Sequence, residues 1–166
     1  MRKESGVLLV LILVLAIGSI AMADDAPWFD PENCQMCKPI MEIEGLLENM
    51  TRESYQIANG MIKVINVTEG YEDKFHRSYE EMMASWQKMI SGEEMQLCGQ
   101  CQAFVDAWDE TVRMETIKTK TGEISLITST NPETVAKLHE IVKRSAEEMA
   151  ALMAGKEKLE HASHDH

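Results

Sequence analysis

The sequence is poor in positive charge. It holds 16 Lys and Arg against 28 Asp and Glu, so the formal net charge of its 166 residues is −12 at pH 7. Nucleic acids and anionic lipids attract basic surfaces, which makes both of them poor partners for this chain. A negative balance favours solubility and attracts cations.

Motifs that name a reaction are also missing. The sequence has no nucleophile elbow, no phosphate-binding loop and no zinc-protease helix motif. No histidine follows either Cys-x-x-Cys pair, so covalent attachment of haem is not indicated. We therefore expect a binding protein rather than an enzyme, and no haem.

The chain has a single long apolar run, at its N-terminus. A basic start at Arg2 and Lys3 precedes the apolar residues 7–20, and an Ala-Met-Ala triplet at 21–23 is followed by two aspartates. This pattern is typical of a secretory signal peptide, so we predict that residues 1–23 are removed and that the protein is periplasmic or secreted. The run is short for a transmembrane helix, and we expect no stable membrane insertion after cleavage. An uncleaved membrane anchor is the alternative.

Four cysteines form two Cys-x-x-Cys pairs, Cys34 with Cys37 and Cys98 with Cys101. Two intervening residues aim both sulfurs of a pair at one point, which suits a tetrahedral metal ion and equally suits a small disulfide ring. We predict that these four cysteines bind Zn or Cu. The alternatives are structural disulfides in a protein that binds another protein, and thiol–disulfide exchange, since exported proteins meet an oxidising environment.

The pairs open two similar stretches of sequence. Besides the cysteines, three residue types recur after a shift of 62, as Glu53 and Glu115, Gly60 and Gly122, and Thr68 and Thr130. Each stretch reads as a Cys pair, a short helix, a β-hairpin and a long helix. We therefore predict a lead-in at 24–33 and an internal duplication with modules at 34–97 and 98–155. We expect the two modules to form one α+β domain with a pseudo-twofold axis, and two separately folded modules are the alternative.

The two hairpins are predicted to join in one four-stranded antiparallel sheet. Asn59-Gly60 and Thr121-Gly122 read as two-residue loops. These loops give the apolar pairs Ile57 with Ile62, Tyr55 with Val64, Ile117 with Leu126 and Thr119 with Ile124. We expect the long helices to cover this apolar face and the opposite, polar face to meet water.

Five histidines are possible additional ligands: His76, His139, His161, His164 and His166. His76 and His139 occupy matching places beside the apolar stripes of the two long helices, where a histidine is most often a packing residue. The other three lie in the polar tail, residues 156–166, which we predict to be disordered and able to bind Zn, Cu or Ni weakly.

Overall fold

Two β-hairpins alternate with helices along residues 26–163, the part of the chain that the computed structural model describes. The predicted signal peptide lies outside the described residues. The elements are α1 (Lys38–Met41), β1 (Met50–Ile57), β2 (Gly60–Val67), α2 (Glu72–Ile90), α3 (Gly99–Ala107), β3 (Arg113–Thr119), β4 (Gly122–Thr128) and α4 (Pro132–Ser163). None of these helices is long and apolar enough to cross a membrane.

All four strands belong to one open antiparallel sheet with the order β1-β2-β4-β3. The second strands of the two hairpins are neighbours, and their register places Lys63 opposite Ser125 at the middle of the sheet. The predicted α+β class with a four-stranded antiparallel sheet is confirmed.

The register of both hairpins differs from the prediction by two residues. Tyr55 pairs with Ile62, and Ile117 pairs with Ile124. The two-residue loops are therefore 58–59 and 120–121, each one position earlier than predicted. Sequence patterning did place the correct residues on a common face, because a shift of two conserves the alternation of side chains.

The glycines of the two predicted turns lie instead at the first positions of β2 and β4. A Cβ on Gly60 would lie 2.0 Å from the carbonyl oxygen of Ile127, and one on Gly122 would lie 2.0 Å from that of Ile65. The φ angles of the two glycines are 155° and 152°. Glycine is thus required for the close approach of β2 and β4, which is a known use of glycine inside strands.

The helices cover the face of the sheet that was predicted to meet water. Met61 and Ile127 pack against α4, in a cluster with Leu138 and Ile141. On the other half of the same face, β2 packs against α2 through a cluster of buried residues that includes Ile65, Val67, Phe75 and Tyr79. The predicted assignment of the inner face is therefore wrong. It failed because β2 carries apolar residues on both faces.

The predicted disordered tail is also corrected in part. Helix α4 continues to Ser163, so residues 156–163 extend a helix whose earlier turns pack on the sheet. By contrast, α2 ends at Ile90, and Gly92 follows with a φ of 97°. The amide of such a glycine satisfies one of the last carbonyl groups of the helix, here that of Met89 at 2.9 Å.

Alanine at Gly60 or Gly122 should destabilise the protein by about 3 kcal/mol or more, because the new methyl group would collide with backbone that cannot move without breaking the β2–β4 pairing. Gly70 is the matched control, since its φ is 92° and a Cβ added there would have no atom within 4 Å. Gly70→Ala should cost only the strain of a positive φ, about 1–2 kcal/mol. Urea unfolding measures all three, and equal losses would contradict the close-approach argument.

Candidate metal centre

The two Cys pairs meet at one point in the fold. The four sulfur atoms, from Cys34, Cys37, Cys98 and Cys101, all lie within 4.8 Å of one another. Cys37 Sγ and Cys101 Sγ are 3.9 Å apart, although 64 residues separate them in sequence. Among the residues that the structure describes, these are the four side chains that together form a possible ion-binding group.

A hydrogen-bonded turn holds the first pair. The Cys34 amide donates to the carbonyl of Asp30 at 3.0 Å, and the amides of Cys37 and Lys38 both donate to the carbonyl of Cys34. Helix α1 then begins at Lys38, with proline in its first turn. Both sulfurs of the pair therefore lie on one side of a tight turn.

The second pair lies at the start of α3. Cys98 is the N-cap residue of this helix, and Cys101 is in its first turn. The positive end of a helix stabilises a thiolate. Gly99 fits closely against the preceding segment, because a Cβ there would lie 3.1 Å from the carbonyl oxygen of Ala26.

Backbone contacts link the two pairs directly. The Gln35 amide donates to the carbonyl of Gln96 at 3.0 Å, and the Gln96 amide donates to Gln35 Oε1 at 3.1 Å. This reciprocal pair of hydrogen bonds joins the turn of the first Cys pair to the segment before the second pair. The meeting of the sulfurs is thus supported by the backbone around them.

An apolar shell of Trp, Phe and Met side chains surrounds the sulfurs. Cys34 and Cys98 are 1% and 3% exposed. Trp86 and Trp108 contact each other edge to face, with ring centroids 4.7 Å apart. The remaining members of this shell include Met36, Met82, Met83, Met89 and Phe104. The shell buries Cys34 and Cys98 and lowers the dielectric constant around them.

A cavity of about 100 Å³ separates the cysteines from the sheet. Cys37 and Cys101 line it on one side, and Arg52 and Lys63 line it on the sheet side. Arg52 donates to Gln100 Oε1 at 3.3 Å. The side of the cavity opposite the sulfurs therefore carries two cations, which we call the cationic floor.

The position of Lys63 perturbs its ionisation. Burial lowers the pKa of its ammonium group to about 8, and the charge of Arg52 acts in the same direction. Glu123, Cys101 and Cys37 oppose this shift. Because a thiolate stabilises the ammonium, the charge of Lys63 and the charge of the sulfur cluster depend on each other.

Two of the four thiols have a lowered pKa and the other two have a raised pKa. Contact with the Cys101 thiol lowers the pKa of Cys34 to about 6, and the same neighbour is the main cause that lowers the pKa of Cys98. The pKa of Cys101 is raised, first by Cys34 and then by the other two thiols and burial. At Cys37 the contact with Cys101 lowers the pKa, but Cys34, Cys98 and burial together raise it. The cluster therefore favours the thiolate form at Cys34 and Cys98 and the protonated form at Cys37 and Cys101.

The arrangement is compatible with a bound metal ion and with disulfides. All four cysteines are unbridged in the structure. An ion with four thiolates at about 2.3 Å requires sulfur separations of about 3.8 Å, which the present positions approach. A disulfide requires about 2.05 Å, so a pair such as Cys37 and Cys101 would have to move together.

His76 and His139 do not reach the cysteine cluster. His139 Nε2 lies 2.9 Å from the carbonyl oxygen of Ile57, where it joins α4 to the edge strand β1. His76 Nδ1 is buried beside Phe75 without a hydrogen-bond partner. His161 lies in the last turns of α4, and His164 and His166 fall outside the described residues. Neither His76 nor His139 therefore belongs to the group of four ligand atoms.

The sequence reasoning missed the residues that surround the cysteines. Alternation with Ile62 and Val64 places Lys63 on the face that we predicted to meet water, whereas helices cover that face. The available signal was the single charged residue in the segment from Met61 to Val67, whose other members are apolar except Asn66. The contact of Trp86 with Trp108 depends on the tertiary fold, and no local pattern indicates it.

Comparisons with known proteins do not identify this centre. No family model matches the chain, and no curated protein or solved structure shows significant similarity to it.

Proposed function

We propose that the protein binds one transition-metal ion, Zn²⁺ or copper, through Cys34, Cys37, Cys98 and Cys101, outside the cytoplasm. The observation that carries this proposal is the convergence of four sulfurs within 4.8 Å from two distant pairs. Soft thiolate ligands select these metals over Mg²⁺ and Ca²⁺. Four protein ligands leave no open position on the ion, so the proposed role is to hold the metal rather than to catalyse a reaction.

One shared site is favoured over two separate ones. Each Cys pair alone offers two ligands, whereas a thiolate site of this kind takes four. The spread of the sulfurs, at most 4.8 Å, also matches a single ion better than two ions with their own ligand sets. The two pairs are therefore proposed to act together.

The cationic floor supports a charged metal centre. Four thiolates around a divalent ion carry a net charge of −2, and a buried charge of this size is costly unless opposite charge lies near it. Arg52 and Lys63 line the cavity that Cys37 and Cys101 also line. We infer that these two cations partly neutralise the centre.

Export from the cytoplasm is consistent with metal binding by the four cysteines. Thiols outside the cytoplasm are oxidised unless something protects them, and a bound ion protects its ligands. The acidic chain, with a net charge of −12, concentrates cations around the site. Structural disulfides within the same four cysteines are the second candidate, and the compartment favours them.

We further infer that residues 34–97 and 98–155 arose by duplication. A shift of 62 carries Gly60↔Thr128, a β2–β4 pair, onto Gly122↔Asn66, and it exchanges Lys63 with its own partner Ser125. The two strand glycines also meet the opposite strand at the same distance. These correspondences support a pseudo-twofold axis through the middle of the sheet and the cavity.

Protein isolated without chelator should contain about one ion per chain, and either Cys34→Ser or Cys98→Ser should lose it almost completely, because four ligands serve one ion. Elemental analysis together with a free-thiol count measures both. His139→Gln is the control and should keep its metal. Four oxidised cysteines without metal would establish the disulfide candidate, and retention of half the metal in each serine variant would establish two sites.

Binding of Zn²⁺ at pH 7 should release clearly fewer than four protons per ion, because the lowered pKa values of Cys34 and Cys98 favour their thiolates in the free protein. Calorimetry in buffers with different ionisation enthalpies gives this number. Affinity should rise with pH as Cys37 and Cys101 lose their protons. Four thiols with an ordinary pKa, about 8.5, would instead release about four protons.

Lys63→Met should have opposite effects on the free and the metal-bound protein. The folded state lowers the pKa of Lys63 from 10.5 to about 8, so its protonated form destabilises folding below about pH 8 and stability rises between pH 8 and 10.5. The reduced metal-free variant should therefore melt at a higher temperature at pH 7. Its affinity for Zn²⁺ should fall about tenfold or more, since the centre loses a neighbouring positive charge.

Lys118→Met is the matched control. Lys118 lies on the same face of the sheet, but it is 57% exposed and pairs with Glu80 at 2.9 Å. It should change folding stability by less than about 1 kcal/mol and leave the affinity for Zn²⁺ unchanged. Equal effects of the two substitutions on metal affinity would contradict a specific role of Lys63.

A further inference from the structure

One face of the sheet has no described helix packed on it. We call it the open face. Tyr55 and Ile117, at its two edges, are 52% and 55% exposed. Between them lie four half-buried aliphatic side chains, Ile62, Val64, Ile124 and Leu126. A contiguous apolar patch of this kind on an otherwise acidic protein marks an interaction surface.

The strand register defines the pattern of this face. One row across the sheet contains Tyr55, Ile62, Leu126 and Glu115, and the next contains Glu53, Val64, Ile124 and Ile117. The aliphatic residues thus form a central square on β2 and β4. The two glutamates occupy diagonally opposite corners, and Tyr55 and Ile117 occupy the other two.

We propose that the open face is the interface of a homodimer in which two sheets pack face to face. The diagonal placement of the glutamates makes the face complementary to itself. With a twofold axis parallel to the strands, Glu53 meets Ile117 of the second copy and Glu115 meets its Tyr55. With an axis perpendicular to the strands, Glu53 meets Tyr55 and Glu115 meets Ile117.

In both orientations the aliphatic squares of the two copies meet each other, and no glutamate faces a glutamate. The carboxylates stay at the rim, where water reaches them. The Tyr55 hydroxyl already donates to Glu53 Oε2 at 2.8 Å, which shows that this pair of residue types can satisfy each other at the edge. Like charges across an interface are the usual obstacle to self-association of an acidic protein, and this arrangement avoids them.

The size of the face agrees with a dimer. Four strands at about 4.8 Å and seven or eight residues at about 3.4 Å give a surface of roughly 19 by 25 Å. Two such faces together cover roughly 1,000 Å² in projection, which reaches the lower bound for a specific interface. Aligned packing of two sheets through interdigitated aliphatic side chains is a common architecture.

Sedimentation equilibrium of the purified protein tests the proposal. We expect a dimer that dissociates in the micromolar range and that becomes tighter when salt rises from about 0.1 M to about 0.5 M, because salt screens the repulsion between two acidic chains. Ile117→Glu and Tyr55→Glu should each weaken it by about tenfold or more. Both side chains are exposed in the single chain, so neither change disturbs its core.

Ile90→Glu is the control, because Ile90 is a similarly exposed apolar residue, 47%, at the end of α2 and away from the sheet. It should leave the dissociation constant within about twofold of the parent value. A chain that stays monomeric up to about 100 µM at both salt concentrations would overturn the proposal and leave the face to another partner. A dimer that Ile117→Glu and Tyr55→Glu leave intact would also overturn it, since its interface would lie elsewhere.

Discussion

The antiparallel pairing of β2 with β4 is the constraint on which the remaining structure depends. Each hairpin alone would leave its second strand at an open edge. Pairing these strands joins both hairpins in one sheet and brings Lys63 and Ser125 to its middle. Gly60 and Gly122 permit the approach, because any larger residue would collide with the facing carbonyl group. The long helices then pack on the two halves of one face, and the segments that precede the hairpins meet above the sheet centre.

Sequence periodicity predicted the helices and strands, but it did not predict which of their faces are buried. The spacing of apolar residues predicted a long helix after each hairpin, and turn signals located both hairpins. The register failed because Asn59-Gly60 resembles a turn by local rules, whereas the glycine is needed for contact with Ile127, which is distant in sequence. The face that the helices cover could not be predicted, because β2 carries apolar side chains on both of its faces. Only the packing of the helices distinguishes the two faces.

The arrangement of the cysteines could likewise be predicted from the sequence only in part. Two residues between the members of each pair predicted that they act as units, since that geometry is local. Whether the units form one site depends on the sheet register and on contacts such as the reciprocal hydrogen bonds between Gln35 and Gln96. Lys63, Trp86 and Trp108 come close to the sulfurs only through tertiary packing, and the charge of Lys63 within the segment 61–67 was the one local signal. Long-range pairing therefore determines the chemistry of this centre.

The separation of Cys37 and Cys101 in sequence also bears on the stability of the fold, and hence on how long the protein resists degradation. An ion that holds both of them closes a loop of 64 residues, and in chain-entropy terms such a closure is worth about 4 kcal/mol. The ion would act as a reversible cross-link between the two halves of the domain. Loss of metal would then loosen the whole fold rather than one surface loop, and a protein in that state is readily degraded by proteases. The supply of metal would set how long each molecule survives.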